Sequence, residues 1–145
     1  MPIDYSFFFW IGSIDLLIMT ISDLRTGFID DRYNYLLFGV VAAMFFVSNR
    51  SIEYFLAVFV VATIFPMATK KFFAKGDITV MTWELLGLGL MGPTFLGMFF
   101  LLFPMYLGIH LAFRMLYKVP GKIPGLPILA GTFWTITAVF YIVFL

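Results

Sequence analysis

Residues Lys70–Gly92 read KKFFAKGDITVMTWELLGLGLMG. An apolar run of helix length opens on Gly76-Asp77, directly behind Lys70, Lys71 and Lys75, and a second apolar run, Pro93–Phe113, follows with no polar linker. From Ile78 to Phe113 the chain is about 36 residues long, about 54 Å of helix at 1.5 Å per residue. That exceeds the ~30 Å hydrocarbon core of a bilayer. The stretch therefore holds two crossings, and Gly92-Pro93 is the break between them. Asp77 lies where water gives way to hydrocarbon, a place where a carboxylate is costly.

The whole chain has the composition that this local reading requires. Of 145 residues, 63% are hydrophobic and 12% charged, against about 45–50% and about 25% in soluble domains. So much apolar surface cannot be hidden in a water-soluble fold of this length, so the chain reads as an all-α integral membrane protein. Six apolar runs present themselves: Ile3–Ser22, Tyr33–Ser48, Ile52–Thr69, Ile78–Met91, Pro93–Phe113 and Pro127–Leu145. With no repeat, low-complexity tract or soluble appendage, residues 1–145 form one polytopic membrane domain. The N-terminal run lacks a basic n-region and a small-residue cleavage site, and reads as a first span rather than a removable signal.

Basic residues orient the spans. Arg25 and Arg32 lie between runs one and two, and Lys70, Lys71 and Lys75 between three and four. Arg114, Lys118 and Lys122 lie around the junction of five and six. Arg50 alone falls on the other side. The six-span reading thus gathers eight of the nine basic residues at one face, which becomes the cytoplasmic face of the plasma membrane, with both termini on the non-cytoplasmic side. With a net charge of +1 no bulk field attracts nucleic acid, and no basic tract or aromatic-basic repeat points to a nucleic-acid partner. The absence of cysteine removes disulfides, thiol catalysis and Cys-ligated zinc.

Asp23 ends the first run and Asp77 begins the fourth. Two crossings separate them, so both stand at the cytoplasmic depth. Two close carboxylates hold one proton between them near neutral pH. The ionised one can deprotonate water while the protonated one polarises a peptide carbonyl, which is aspartic-protease chemistry. It needs no cofactor and no metal. Asp77 is also tuned by its place at a helix N-terminus, beside Gly76, which permits close backbone approach, and Lys75. The same residue serves equally as an ordinary helix N-cap, and Asp23 as an interfacial charge beside Arg25.

SDLRTGFIDDRYN (Ser22–Asn34) resembles the first-Asp motif of the type IV prepilin peptidase family, and AKGDITVMTWELLGLGLMG (Ala74–Gly92) resembles its second, the G-x-G-D box. In size the chain resembles the minimal peptidases of archaeal flagellin and pilin systems, or of bacterial tight-adherence pili. A third match is the proline-rich entry to the last helix, KVPGKIPGLPILAG (Lys118–Gly131), where Pro120, Pro124 and Pro127 also read simply as loop punctuation. Ala74 replaces the first Gly of the box, and Asp30 stands where many members have Pro. The resemblance implies an aspartyl endopeptidase with Asp23 and Asp77 as its dyad, and with Arg25, Gly27, Lys75 and Gly76 shaping the site. Its implied substrates are pilin-like or flagellin-like precursors carrying a short basic leader. Asp30 and Asp31 are candidates for contact with that leader. The methylating module of long bacterial members is missing, so methyl transfer is not implied.

Three ionisable residues lie deeper. Asp15 is about 12 Å inward from Asp23 and about 80° around its helix, and Glu84 shares nearly one face with Asp77. His110 lies in the inner half of the fifth run. Such groups face the bundle interior and find partners, so Asp15–His110 and Glu84–His110 are both conceivable pairs. Together they keep a rival open, a small proton-linked carrier or a non-enzymatic assembly subunit. A presenilin-like intramembrane protease is a second enzyme reading, since that group shares the Gly-Asp box. Its usual Tyr before the first Asp is Ser22 here, and LPIL matches its Pro-Ala-Leu motif poorly. The glycines of GLGLMG allow close helix approach, and the aromatics read as packing or lipid-facing groups.

Overall fold

Each apolar run becomes one helix. A computed structural model describes the backbone of residues 6–26, 31–47, 50–73, 75–118 and 125–144, and the side chains of 8–21, 34–47, 50–73, 77–118 and 125–143. Within these residues the chain is all-helical, with six helices: α1 Ser6–Thr26, α2 Asp31–Val47, α3 Ile52–Ala68, α4 Lys75–Met91, α5 Pro93–Tyr117 and α6 Gly125–Phe144. The helices overrun the apolar runs at their polar ends. α1 continues past Ser22 to Thr26, α4 starts at Lys75 rather than Ile78, and α5 reaches Tyr117. Backbone hydrogen bonding does not stop where side chains become polar, so hydropathy alone underestimates helix length.

The break at Gly92-Pro93 forms as expected. Gly92 has φ +151°, which a side chain would strain, and Pro93 opens α5, where its missing N–H costs nothing. The carbonyls freed at the end of α4 are taken up by Arg50, just before α3, and by Tyr54 in its first turn. Arg50 donates from Nε to the Leu90 carbonyl (3.3 Å) and from Nη2 to that of Met91 (2.8 Å), and Tyr54 Oη donates to Gly89 (2.6 Å). A guanidinium at a helix C-terminus also meets the negative end of the dipole. The one basic residue on the far side of the charge map is thus a clamp on α4.

Successive helices alternate in direction. Arg50, preceding α3, meets the end of α4. Phe38 and Phe45 of α2 pair with Phe59 and Phe55 of α3. Phe95 and Tyr106 of α5 meet Phe140 and Thr135 of α6. Phe9 and Gly12 of α1 lie against Phe140 and Phe133 of α6.

α4 occupies the centre, packed on α2, α3, α5 and α6. Every residue from 83 to 91 is buried, as expected of a helix apolar all round. Two glycines allow this crowding: a Cβ at Gly87 would overlap the Phe8 ring, and one at Gly89 would overlap Val58. Trp83 sits edge-on to Phe8 and Phe133, with ring centroids 6.1 and 5.8 Å away. Phe99 stacks on Phe103 at 5.2 Å. Aromatic pairs of this kind are worth ~0.5–1.5 kcal/mol beyond their burial.

The outer surface is apolar. Ile14, Leu36, Phe46, Ile64, Leu101, Met115, Leu116 and Ile142 are all exposed, and α5 buries chiefly Phe95, Phe99 and Phe103. Two helices, Pro93–Tyr117 and Gly125–Val143, are long and apolar enough to cross a membrane. Phe8–Ile21, Asn34–Val47 and Ile52–Ala68 are shorter apolar helices.

Candidate active site

Asp77 is the third residue of α4, inside its first turn rather than at its cap. Its side chain is 4% exposed, and Oδ2 accepts a hydrogen bond from the Gly125 N–H at 3.2 Å. Gly125 is the first residue of α6, and its N–H is one of the four that a helix cannot satisfy internally. The carboxylate therefore ties the starts of two helices together, and two positive dipole ends meet at it. A Cβ at position 125 would stand 2.9 Å from Asp77 Cβ and Cγ and 2.8 Å from Phe73 Cδ1, so the close approach requires glycine there. Sequence reasoning weighed the prolines of this segment and passed over the glycine between them. The Pro-Gly-Leu-Pro pattern at the mouth of an apolar run was the available signal.

Asp23 lies on the last turn of α1. Because α1 runs antiparallel to α6, that turn stands at the end where α6 begins and where Asp77 lies. The backbone thus brings both acids to one end of the bundle. The side chains of Asp23 and Arg25 lie outside the described residues, as do Gly27 and Asp30 entirely. Asp31 opens α2, and Lys75 and Gly76 open α4, again without described side chains. Pro127 is exposed in the first turn of α6; Pro120 and Pro124 are outside the described residues.

Neither conceivable pairing of the deeper groups is made. Among the described residues, Asp15 Oδ2, both Glu84 oxygens and His110 Nε2 are buried without hydrogen-bond partners. They lie apart because their helices turn them to different places. Asp15 lines a groove between α1 and α2, and His110 a groove between α5 and α6 beside Pro127 and Ile128. Glu84 is fully enclosed on α4. The buried indole has a simpler role, with Trp83 Nε1 donating to Asn34 Oδ1 at 3.0 Å. Among the described residues no three His, Cys, Asp or Glu side chains gather as a metal site would require.

Comparison with protein-family models, curated proteins and solved structures finds no match. The chemistry must therefore be read from the site itself. A buried carboxylate at one end of the bundle, held by a backbone N–H with a second acid on a helix terminus at the same end, can serve proton transfer once the two approach.

Proposed function

We propose that the chain is a six-span membrane aspartyl endopeptidase of the prepilin-peptidase kind. It would remove the short basic leader of pilin-like or flagellin-like precursors at the cytoplasmic face of the plasma membrane. The observation that carries this reading is the buried Asp77 carboxylate in the first turn of the central helix, anchored to α6 at the end of the bundle where α1 brings Asp23. The alternation of helix direction supports the orientation: the ends bearing Arg25, Arg32, Lys70, Lys71, Lys75 and Lys118 coincide with that of Asp77, opposite Arg50.

In the proposed reaction the ionised Asp takes a proton from water as the water oxygen bonds to the scissile carbonyl carbon. The protonated Asp gives its proton to the carbonyl oxygen. Collapse of the tetrahedral intermediate breaks the C–N bond: the Asp that took the water proton gives it to the leaving amine, and one hydroxyl of the intermediate returns its proton to the other Asp, leaving the carboxyl product and a dyad with one proton. Asp30 and Asp31 would attract the basic leader.

The test is cleavage of pilin-type precursors by purified protein in detergent, wild type beside Asp77→Asn and Asp23→Asn. The wild type is expected to release the leader, and each variant to lose at least about a hundredfold in rate. Full turnover by either variant would remove the dyad. The carrier reading draws on one observation, the enclosed Glu84 with no partner among the described residues. It predicts proton flux in liposomes that depends on Glu84 and not on Asp77.

A further inference from the structure

Among the described residues α1 packs on α6 and α2 packs on α4, with little contact between α1 and α2. A groove of about 270 Å³ is left between them. Ile11, Ile14 and Ile18 form one wall and Leu36, Leu37 and Val40 the other, with Asp15 as the single ionisable group. The rim faces outward, with Ile14 52%, Ile18 55% and Leu36 66% exposed. The rim opens to the surrounding apolar phase, and the buried Asp15 Oδ2, without a partner among the described residues, favours an occupant that brings a hydrogen-bonding group. An acyl chain carries no donor at this depth; a transmembrane helix with a hydroxyl or amide side chain does.

On the peptidase reading above, we infer that this groove docks the apolar helix of the precursor and that Asp15 receives a hydrogen bond from a polar side chain of that helix. Asp15 is eight residues before Asp23 on the same helix, about 12 Å further from the cleavage end. A substrate helix lying along α1 would present its donor roughly two turns beyond the scissile bond. The groove admits the side chains of one helix edge. Asp15 is then a positioning residue that sets the depth of the substrate and takes no part in bond breaking.

The chain has no cysteine, so single-cysteine variants report cleanly. In full-length protein carrying Asp77→Asn, Ile14→Cys and Leu36→Cys should form disulfides with cysteines placed in the apolar helix of an uncut precursor. Met115→Cys, exposed on α5, should not. Cross-linking at Met115→Cys equal to that in the groove would overturn the assignment, as would none in the groove. With Asp77 intact, Asp15→Leu should raise KM about tenfold and leave kcat within about twofold. Asp15→Asn, whose carbonyl still accepts, should restore most of the loss. Exchanging the precursor's donor for Val should raise KM in wild type and add nothing in Asp15→Leu. An unchanged KM, or a loss confined to kcat, overturns the role of Asp15 while the peptidase reading stands. If the wild type cuts no precursor, both fall. Should Asp15→Leu fail to fold, the cross-links decide, since those variants keep Asp15.

Discussion

Asp77 and Glu84 are carboxylates on nearly one face of the same helix, about two turns apart, and their surroundings divide them. Asp77 is anchored to the Gly125 N–H, whereas Glu84 is enclosed with neither oxygen partnered among the described residues. Two expectations follow from this difference. Asp77→Asn keeps an acceptor for Gly125, so its thermal stability in detergent should stay near wild type while cleavage disappears. Asp77→Ala strands the N–H and should lose about 1–3 kcal/mol as well. Glu84→Leu removes an enclosed group that no donor among the described residues satisfies, and should stabilise the fold by about 1–3 kcal/mol. A lower melting temperature for Glu84→Leu would show that the carboxylate has a partner in the working protein. That both residues share a face was legible in their spacing of seven. Which of the two is anchored was not, because the anchor comes from a helix 48 residues away in the chain.

At the scale of elements, the most informative features are the two ends of α4. Its C-terminus is held by Arg50 and Tyr54, and its N-terminus by Gly125. Arg50→Ala should destabilise the protein by about 1.5–3 kcal/mol, the worth of hydrogen bonds to a charged group. It should spare cleavage, since Arg50 lies at the opposite end from Asp77; thermal unfolding and precursor turnover on one sample check both halves. Gly125→Ala should do the reverse. Its Cβ would push α6 away from Asp77, so turnover should fall at least about tenfold while the variant still inserts and extracts as wild type. Hydropathy located all six helices and the Gly92-Pro93 break, yet it stopped short of the true ends at Thr26, Lys75 and Tyr117. The polar last turns are held by backbone hydrogen bonds that leave no apolar trace.

For the whole molecule, the alternating bundle makes a topological prediction. Lys71→Cys should be labelled by an impermeant maleimide only from the cytoplasmic side of inverted and right-side-out vesicles, and Ser51→Cys only from the other. Both labelled from one side would break the six-span reading. Chelation by EDTA should leave turnover unchanged, because the proposed dyad mechanism would use two carboxylates and water alone.

The amino-acid sequence by itself determined the helical class, the number of helices, the break after Gly92 and the placement of Asp23 and Asp77 at helix ends of equal parity. All of these are local or counting properties, set by runs of apolar side chains and by glycine and proline. Tertiary structure decided what depends on the relative rotation of helices. It made α4 the central helix, seated Phe8 and Val58 over Gly87 and Gly89, matched Arg50 to the end of α4 and Gly125 to Asp77, and turned Asp15, Glu84 and His110 to separate places. In a chain whose helices are apolar on nearly every side, hydropathy carries little information about which face meets which. Close packing and the pairing of a few buried polar atoms supply the rest.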